Sequence, residues 1–236
     1  MKERLKQLAK AFDLKFNENW FNYIWISKEE NTLLEYMWMC PDPIFVKYGE
    51  TSYERTKHIE NFLDSGDFKE CLHRFGGQAI NKDTFMKYFP SRISNIENGK
   101  VRSSLSKIYK KIIKSMGKSA RIAILTKSSI KPEIERLKDF VLFHEWIHIL
   151  VNENGLKFPH EIKDNWKYNE GLVTYLQEFY AGKLNELEEN VRKTRYDFQK
   201  QYYIYALKFR QLLKNTNNPR KRKELLRKFI ILKRVR

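Results

Sequence analysis

The chain has 236 residues, enough to bury a full hydrophobic core, and only two cysteines, Cys40 and Cys71, so neither a disulfide framework nor a four-cysteine zinc site is expected. Its net charge of +17 is unevenly placed: residues 191–236 hold sixteen Lys/Arg against Asp197 and Glu224, +14 of the total. Residues 191–236 thus form a basic segment suited to nucleic acid or an anionic surface, or one whose charges simply line a solvated helix face.

From the start, Leu5, Leu8, Ala9 and Phe12 recur at helical spacing among Lys2, Arg4, Lys6 and Lys10, which is unlike a signal peptide. Later apolar stretches fall short of the ~18 to 20 residues of a membrane span, so a soluble protein is expected, and the two isolated cysteines suit a reducing, cytoplasmic setting. Ile44 to Tyr48 is a weak strand candidate. Helical periodicity covers Ser104 to Met116, and Arg121 to Thr126, Arg-Ile-Ala-Ile-Leu-Thr, is the best strand. A helix is predicted from Pro132, capped near Ser128 or Ser129, to Val151, with stop signals at Asn152 to Gly155. Further helices are predicted over Trp166 to Glu189 and Arg192 to Lys214. In the second, Phe198, Tyr202, Tyr205, Phe209 and Leu212 share one stripe that should pack on the preceding part.

Residues 143–149 read Phe-His-Glu-Trp-Ile-His-Ile, an HExxH pattern. On a helix His144 and His148 point the same way, so two imidazoles can reach one zinc ion. Glu145 stands ~100° further round, which suits a carboxylate that meets water rather than metal. A catalytic zinc needs a third protein ligand. His160, Glu161, Asp164 and Glu170 all follow closely, and Glu170 is preferred because its helix can lie beside the first while Gly171 permits close backbone approach.

These residues resemble the gluzincin metallopeptidases, in which HExxH on one helix is followed by NE, often NEG, on the next. The likeness covers Phe143 to Tyr180, through Trp166 and Asn169-Glu170-Gly171, with a longer loop between the two motifs. It implies one zinc ion per chain held by His144, His148 and Glu170, with Glu145 as general base in the hydrolysis of a peptide or protein substrate. It also implies that Ile122, Ala123, Ile124 and Leu125 bind that substrate as an added antiparallel strand. One departure stands at Thr174, where thermolysin-like members have aspartate, so a weaker partner for a ligand histidine is expected there. Metzincins need glycine and histidine where this chain has Val151 and Asn154. Peptide deformylase needs a glycine-rich segment that Glu70-Cys71-Leu72 does not accompany.

An oxyanion partner should come from His160, Tyr175, Tyr202, Tyr203 or Tyr205. The expected architecture is a mainly helical α+β zincin-like fold. Residues 1–100 would form a helical extension, 101–190 the catalytic core and 191–236 a basic helical segment on that core. The alternative function is nucleic-acid or anionic-surface association through residues 191–236, with a structural or inactive metal site.

Overall fold

A computed structural model describes residues 1–27, 29–31, 33–34, 77–96, 99–126, 131–159, 161–194 and 197–235. Cys40, Cys71, the strand candidate at 44–48, the caps Ser128 and Ser129 and the candidate ligand His160 lie outside the described residues. The chain is mainly helical with a three-stranded sheet, α+β at that level. Among the described residues no helix is long and apolar enough to cross a membrane.

Two compact units are present, one formed by residues 1–18 with 143–236 and the other by 19–142. The expected divisions at 100 and 190 are replaced by this one. The N-terminal helix is grouped with residues 143–236 because its apolar face packs there.

In the unit of residues 19–142, β1 (Tyr23–Ile26), β2 (Gly77–Asn81) and β3 (Arg121–Thr126) form a sheet in the order β1-β3-β2. β1 runs parallel to β3, with Ile24 beside Ile124, and β2 runs antiparallel, with Ala79 beside Ala123. Ile122, Ala123, Ile124 and Leu125 are buried in an unbroken run, as a central strand covered on both faces requires. This corrects the expectation that they bind substrate by strand addition. An incoming strand needs a free edge, and both edges of β3 are already paired.

Against the sheet pack α2 (Lys82–Ser94) and α3 (Gly99–Met116). The Asn81 side chain caps α2 by accepting from Thr84 N–H at 3.1 Å. Pro90 lies inside α2. Phe85, Phe89 and Tyr109 stack between the helices at centroid distances of 4.5 to 5.9 Å. Ile80, Leu105, Ile108, Ile112 and Ile122 complete the core beneath them.

The unit boundary falls within α4 (Lys131–Glu153), whose residues from Phe143 onward belong with α1 (Lys2–Ala11). Leu5, Leu8 and Ala9 are buried on one face of α1, and Phe12 meets the edges of Tyr175 and Phe179. The helix expected over Trp166 to Glu189 is broken. α5 (Asn165–Ala181) stops at Gly182, whose φ of 71° suits glycine, and Lys183 N–H donates back to the Glu178 carbonyl at 2.9 Å. A short turn and α6 (Leu187–Lys193) then lead to α7 (Asp197–Leu213) and α8 (Pro219–Val235).

Contacts between α5 and α7 advance together along both helices, from Trp166 with Tyr202 and Tyr168 with Tyr205 to Tyr175 with Phe209. The two helices are therefore parallel. Of the expected aromatic stripe, Tyr205 and Phe209 are buried against the preceding part, while the Phe198 side chain lies outside the described residues. Ala206 and Leu213 share the buried side, while Leu212 stays at its margin.

Candidate metal centre

Two local devices fix the helices that carry the chemistry. At the end of α4 the Asn154 amide accepts from Lys15 N–H at 2.7 Å and donates to the Lys15 and Leu150 carbonyls at 3.0 and 2.9 Å. Gly155, at φ 66°, turns the chain so that Leu156 N–H reaches the Val151 carbonyl at 3.0 Å. Where the loop approaches α5, the Asn169 side chain accepts from Phe158 N–H at 2.8 Å and donates to the Phe158 carbonyl at 3.2 Å. The asparagine beside Glu170 thus holds the incoming loop, and Phe158 anchors it by stacking on Tyr168 at 5.0 Å.

α4 presents His144 and His148 on one side, with ring centroids 5.0 Å apart. Glu170, on the second turn of α5, places Oε2 3.2 Å from His144 Nε2 and Oε1 3.3 Å from His148 Nε2. Ligand atoms of the three residues lie within 4.8 Å of one another, and among the described residues this cluster could hold a metal ion. The fit is chemical as well as spatial. Tetrahedral donors at ~2.0 to 2.1 Å from an ion stand about 3.3 Å apart, close to both nitrogen–oxygen separations here. The side chains of His144, His148 and Glu170 are 15, 17 and 24% exposed, so solvent reaches the cluster.

The histidine's other nitrogen is also engaged. His144 Nδ1 lies 2.9 Å from Gln177 Oε1, which can only accept, so Nδ1 carries the proton. With Nε2 facing a carboxylate, both ring nitrogens have acceptors beside them, which favours the protonated ring. Burial pulls the His144 pKa down, but its hydrogen bond to Glu170 and the charge of that carboxylate outweigh it and raise the value to about 9. Burial acts to raise the pKa of Glu170. The charge of His148 and the two histidine hydrogen bonds outweigh that and hold the carboxyl far below the usual range. Glu145 is buried, and desolvation raises its pKa against the opposing charges of His148 and His144.

The structure therefore gathers His144, His148 and Glu170 and leaves other candidates aside. Asp164 pairs with Lys167 at 3.0 Å, and Glu161 is exposed. Tyr175 is packed among Phe12, Phe179 and Phe209, and burial raises its pKa to about 12. Tyr205 meets Tyr168 with the Lys208 ammonium above its ring, and Tyr202 lies edge-on to Trp166. The half-buried Tyr203 hydroxyl is held protonated by burial and by the charge of Glu178.

Two expectations need correction. The residue touching His144 from behind is Gln177, one turn beyond Thr174. Gln177 was readable only as a polar side chain seven positions after Glu170, on the same helical face. The close approach at Gly171 is to α7, where an added Cβ would lie 2.9 Å from the Tyr205 carbonyl carbon. The space that glycine leaves is filled from a helix thirty-four positions later. Compared with family models, curated proteins and solved structures, the chain matches none.

Proposed function

We propose that the chain is a zinc-dependent metallopeptidase of gluzincin type, with zinc held by His144, His148 and Glu170 and Glu145 as general base. The observation that carries this reading is the convergence of the two HExxH histidines with the glutamate of Asn169-Glu170-Gly171 in one solvent-reachable cluster. Two imidazoles and a carboxylate, with a further position open, are the donor set of catalytic rather than structural zinc sites. The mainly helical α+β chain accommodates a zincin-like arrangement in which one helix brings the histidines and the next brings the carboxylate.

Zinc bound there supplies a Lewis acid that polarises a peptide carbonyl and draws the pKa of water from about 15.7 toward 7. The remaining chemistry belongs to the chain. Glu145 shares its helix with the histidines, and burial makes its carboxylate more basic than an exposed one. It takes a proton from the attacking water as the oxygen–carbon bond forms, then returns it to the departing amine nitrogen as the carbon–nitrogen bond breaks. Glu170 remains ionised throughout, and Gln177 keeps His144 in the tautomer that offers Nε2.

Metal analysis of the purified protein and of its His148→Ala and Glu170→Ala variants, followed by cleavage assays on a peptide mixture, tests the proposal. About one zinc per chain is expected in the unaltered protein, lost in both variants together with cleavage. A protein that takes up no zinc on reconstitution, or cleaves equally well without it, overturns the reading.

A further inference from the structure

The basic C-terminal helix has two faces of different character. α8 starts at Pro219 after Asn218, whose side chain accepts from Lys221 N–H at 3.1 Å. Its inner face is occupied. Leu226 is 1% exposed, and Phe229 packs against Phe158, Tyr168 and Phe209 at 5.7 to 6.1 Å. The Arg222 guanidinium covers Phe12 and Phe179 and donates to the Ala11 and Thr216 carbonyls, while Lys223 reaches Asp13. These cations hold the helix to its own unit.

The outer face combines charge with apolar surface. Ile231 and Leu232 are each 60% exposed, although both are large aliphatic side chains. Helical spacing sets them one turn beyond the exposed Arg227 and Lys228, with exposed Arg234 following. Beyond Glu224, which pairs with Arg220 at 3.6 Å, the sequence contains no acidic residue.

From this combination we infer that the outer face of α8 docks on an anionic lipid membrane, lying in its surface plane. The inference goes beyond the peptidase reading and does not rest on it. Anionic headgroups reward Arg227, Lys228 and Arg234, and the boundary with the acyl chains takes up Ile231 and Leu232. Nucleic acid would reward the cations alone, leaving two aliphatic side chains against a polar sugar–phosphate backbone. The helix is too charged to span a bilayer, so an in-plane position is the one that satisfies both kinds of residue.

Co-sedimentation of the full chain with phosphatidylcholine vesicles, and with vesicles of phosphatidylcholine and phosphatidylserine at about 70:30, tests the inference. Binding is expected to the anionic vesicles only. The double variant Ile231→Ser/Leu232→Ser should weaken it about tenfold or more, and Arg227→Gln/Lys228→Gln should reduce its salt sensitivity. All four positions are exposed, so unchanged melting temperatures would establish that the variants remain folded. Vesicle binding that survives loss of the aliphatic pair would reduce the surface to unspecific electrostatics and overturn the inference. Absence of vesicle binding, with or without tight binding to an RNA or DNA duplex, would overturn it as well.

Discussion

The amide oxygen of Gln177 stands 2.9 Å from Nδ1 of His144, joining α5 to α4 on the side of the ring away from Glu170. A carboxylate at this place would add a charge to the site. The neutral amide fixes the ring and its tautomer and, by accepting from Nδ1–H, raises the basicity of the imidazole without adding a charge. Gln177→Leu should therefore weaken zinc binding by roughly 10 to 100-fold, measured by competition with a chelator, while Gln177→Glu should retain or strengthen it. Equal zinc affinity in all three proteins would show that Gln177 does not position the ligand.

Glu145 and the three candidate ligands should separate in a second comparison. Glu145 adjoins His144 in sequence but is absent from the cluster of converging ligand atoms. Glu145→Gln should keep a full complement of zinc while peptide turnover falls about 10²- to 10⁴-fold, the usual contribution of a general base. Parallel measurement of metal content and turnover distinguishes this from loss of the site. Turnover at the unaltered rate would remove Glu145 from the mechanism.

The cluster also dictates a pH response in the metal-free protein. The His144 pKa of about 9 exceeds its ordinary 6.5, so this residue's stabilising contribution is fully present below 6.5 and disappears as pH rises through 9. Glu170, held far below its ordinary 4.5, contributes above that value and loses its contribution only in acid. Buried Glu145 has the opposite sign, because its raised pKa makes ionisation costlier in the folded state above about 4.5. Melting temperature in the presence of EDTA should fall between about pH 6.5 and 9. The gain on adding zinc should grow over the same interval, since zinc competes with the proton on His144 Nε2. Thermal melts with and without zinc at three pH values test both trends, and a metal-free melting temperature that rises across this interval would contradict the charge assignment.

The convergence of His144, His148 and Glu170 was legible because its determinants are local. The spacing of four that joins His144 to His148 is a property of any helix, and Glu170 follows within the next one. The position of β3 was not legible, because a strand's own pattern does not state whether one or both edges are paired. That depends on Tyr23–Ile26, almost a hundred positions earlier, and on Gly77–Asn81. The break at Gly182 was hidden for another reason. Leu184, Leu187 and Val191 continue a helical rhythm across a glycine that, in the folded chain, takes a left-handed turn. The role of Gly171 likewise required knowledge of α7.

That role sets helix propensity against packing. Alanine is favoured over glycine in a helix interior by about 1 kcal/mol, so on propensity alone Gly171→Ala in α5 should stabilise the protein. The added methyl would instead meet the Tyr205 side chain at its base and stand 2.9 Å from its carbonyl carbon. A rotamer change cannot move a backbone atom, so α5 and α7 must separate, at a cost of about 1 to 3 kcal/mol that offsets the propensity gain. Because Glu170 adjoins Gly171, that separation should also displace the carboxylate from the histidines. Gly171→Ala is therefore expected to lower the melting temperature and the zinc affinity together. Gly99→Ala, at a helical glycine with no atom within 4 Å of the added methyl, should change neither appreciably. Calorimetry and zinc titration of both variants decide the matter, and a more stable Gly171→Ala protein with unchanged zinc affinity would mean that the α5–α7 contact is looser than its backbone distance indicates.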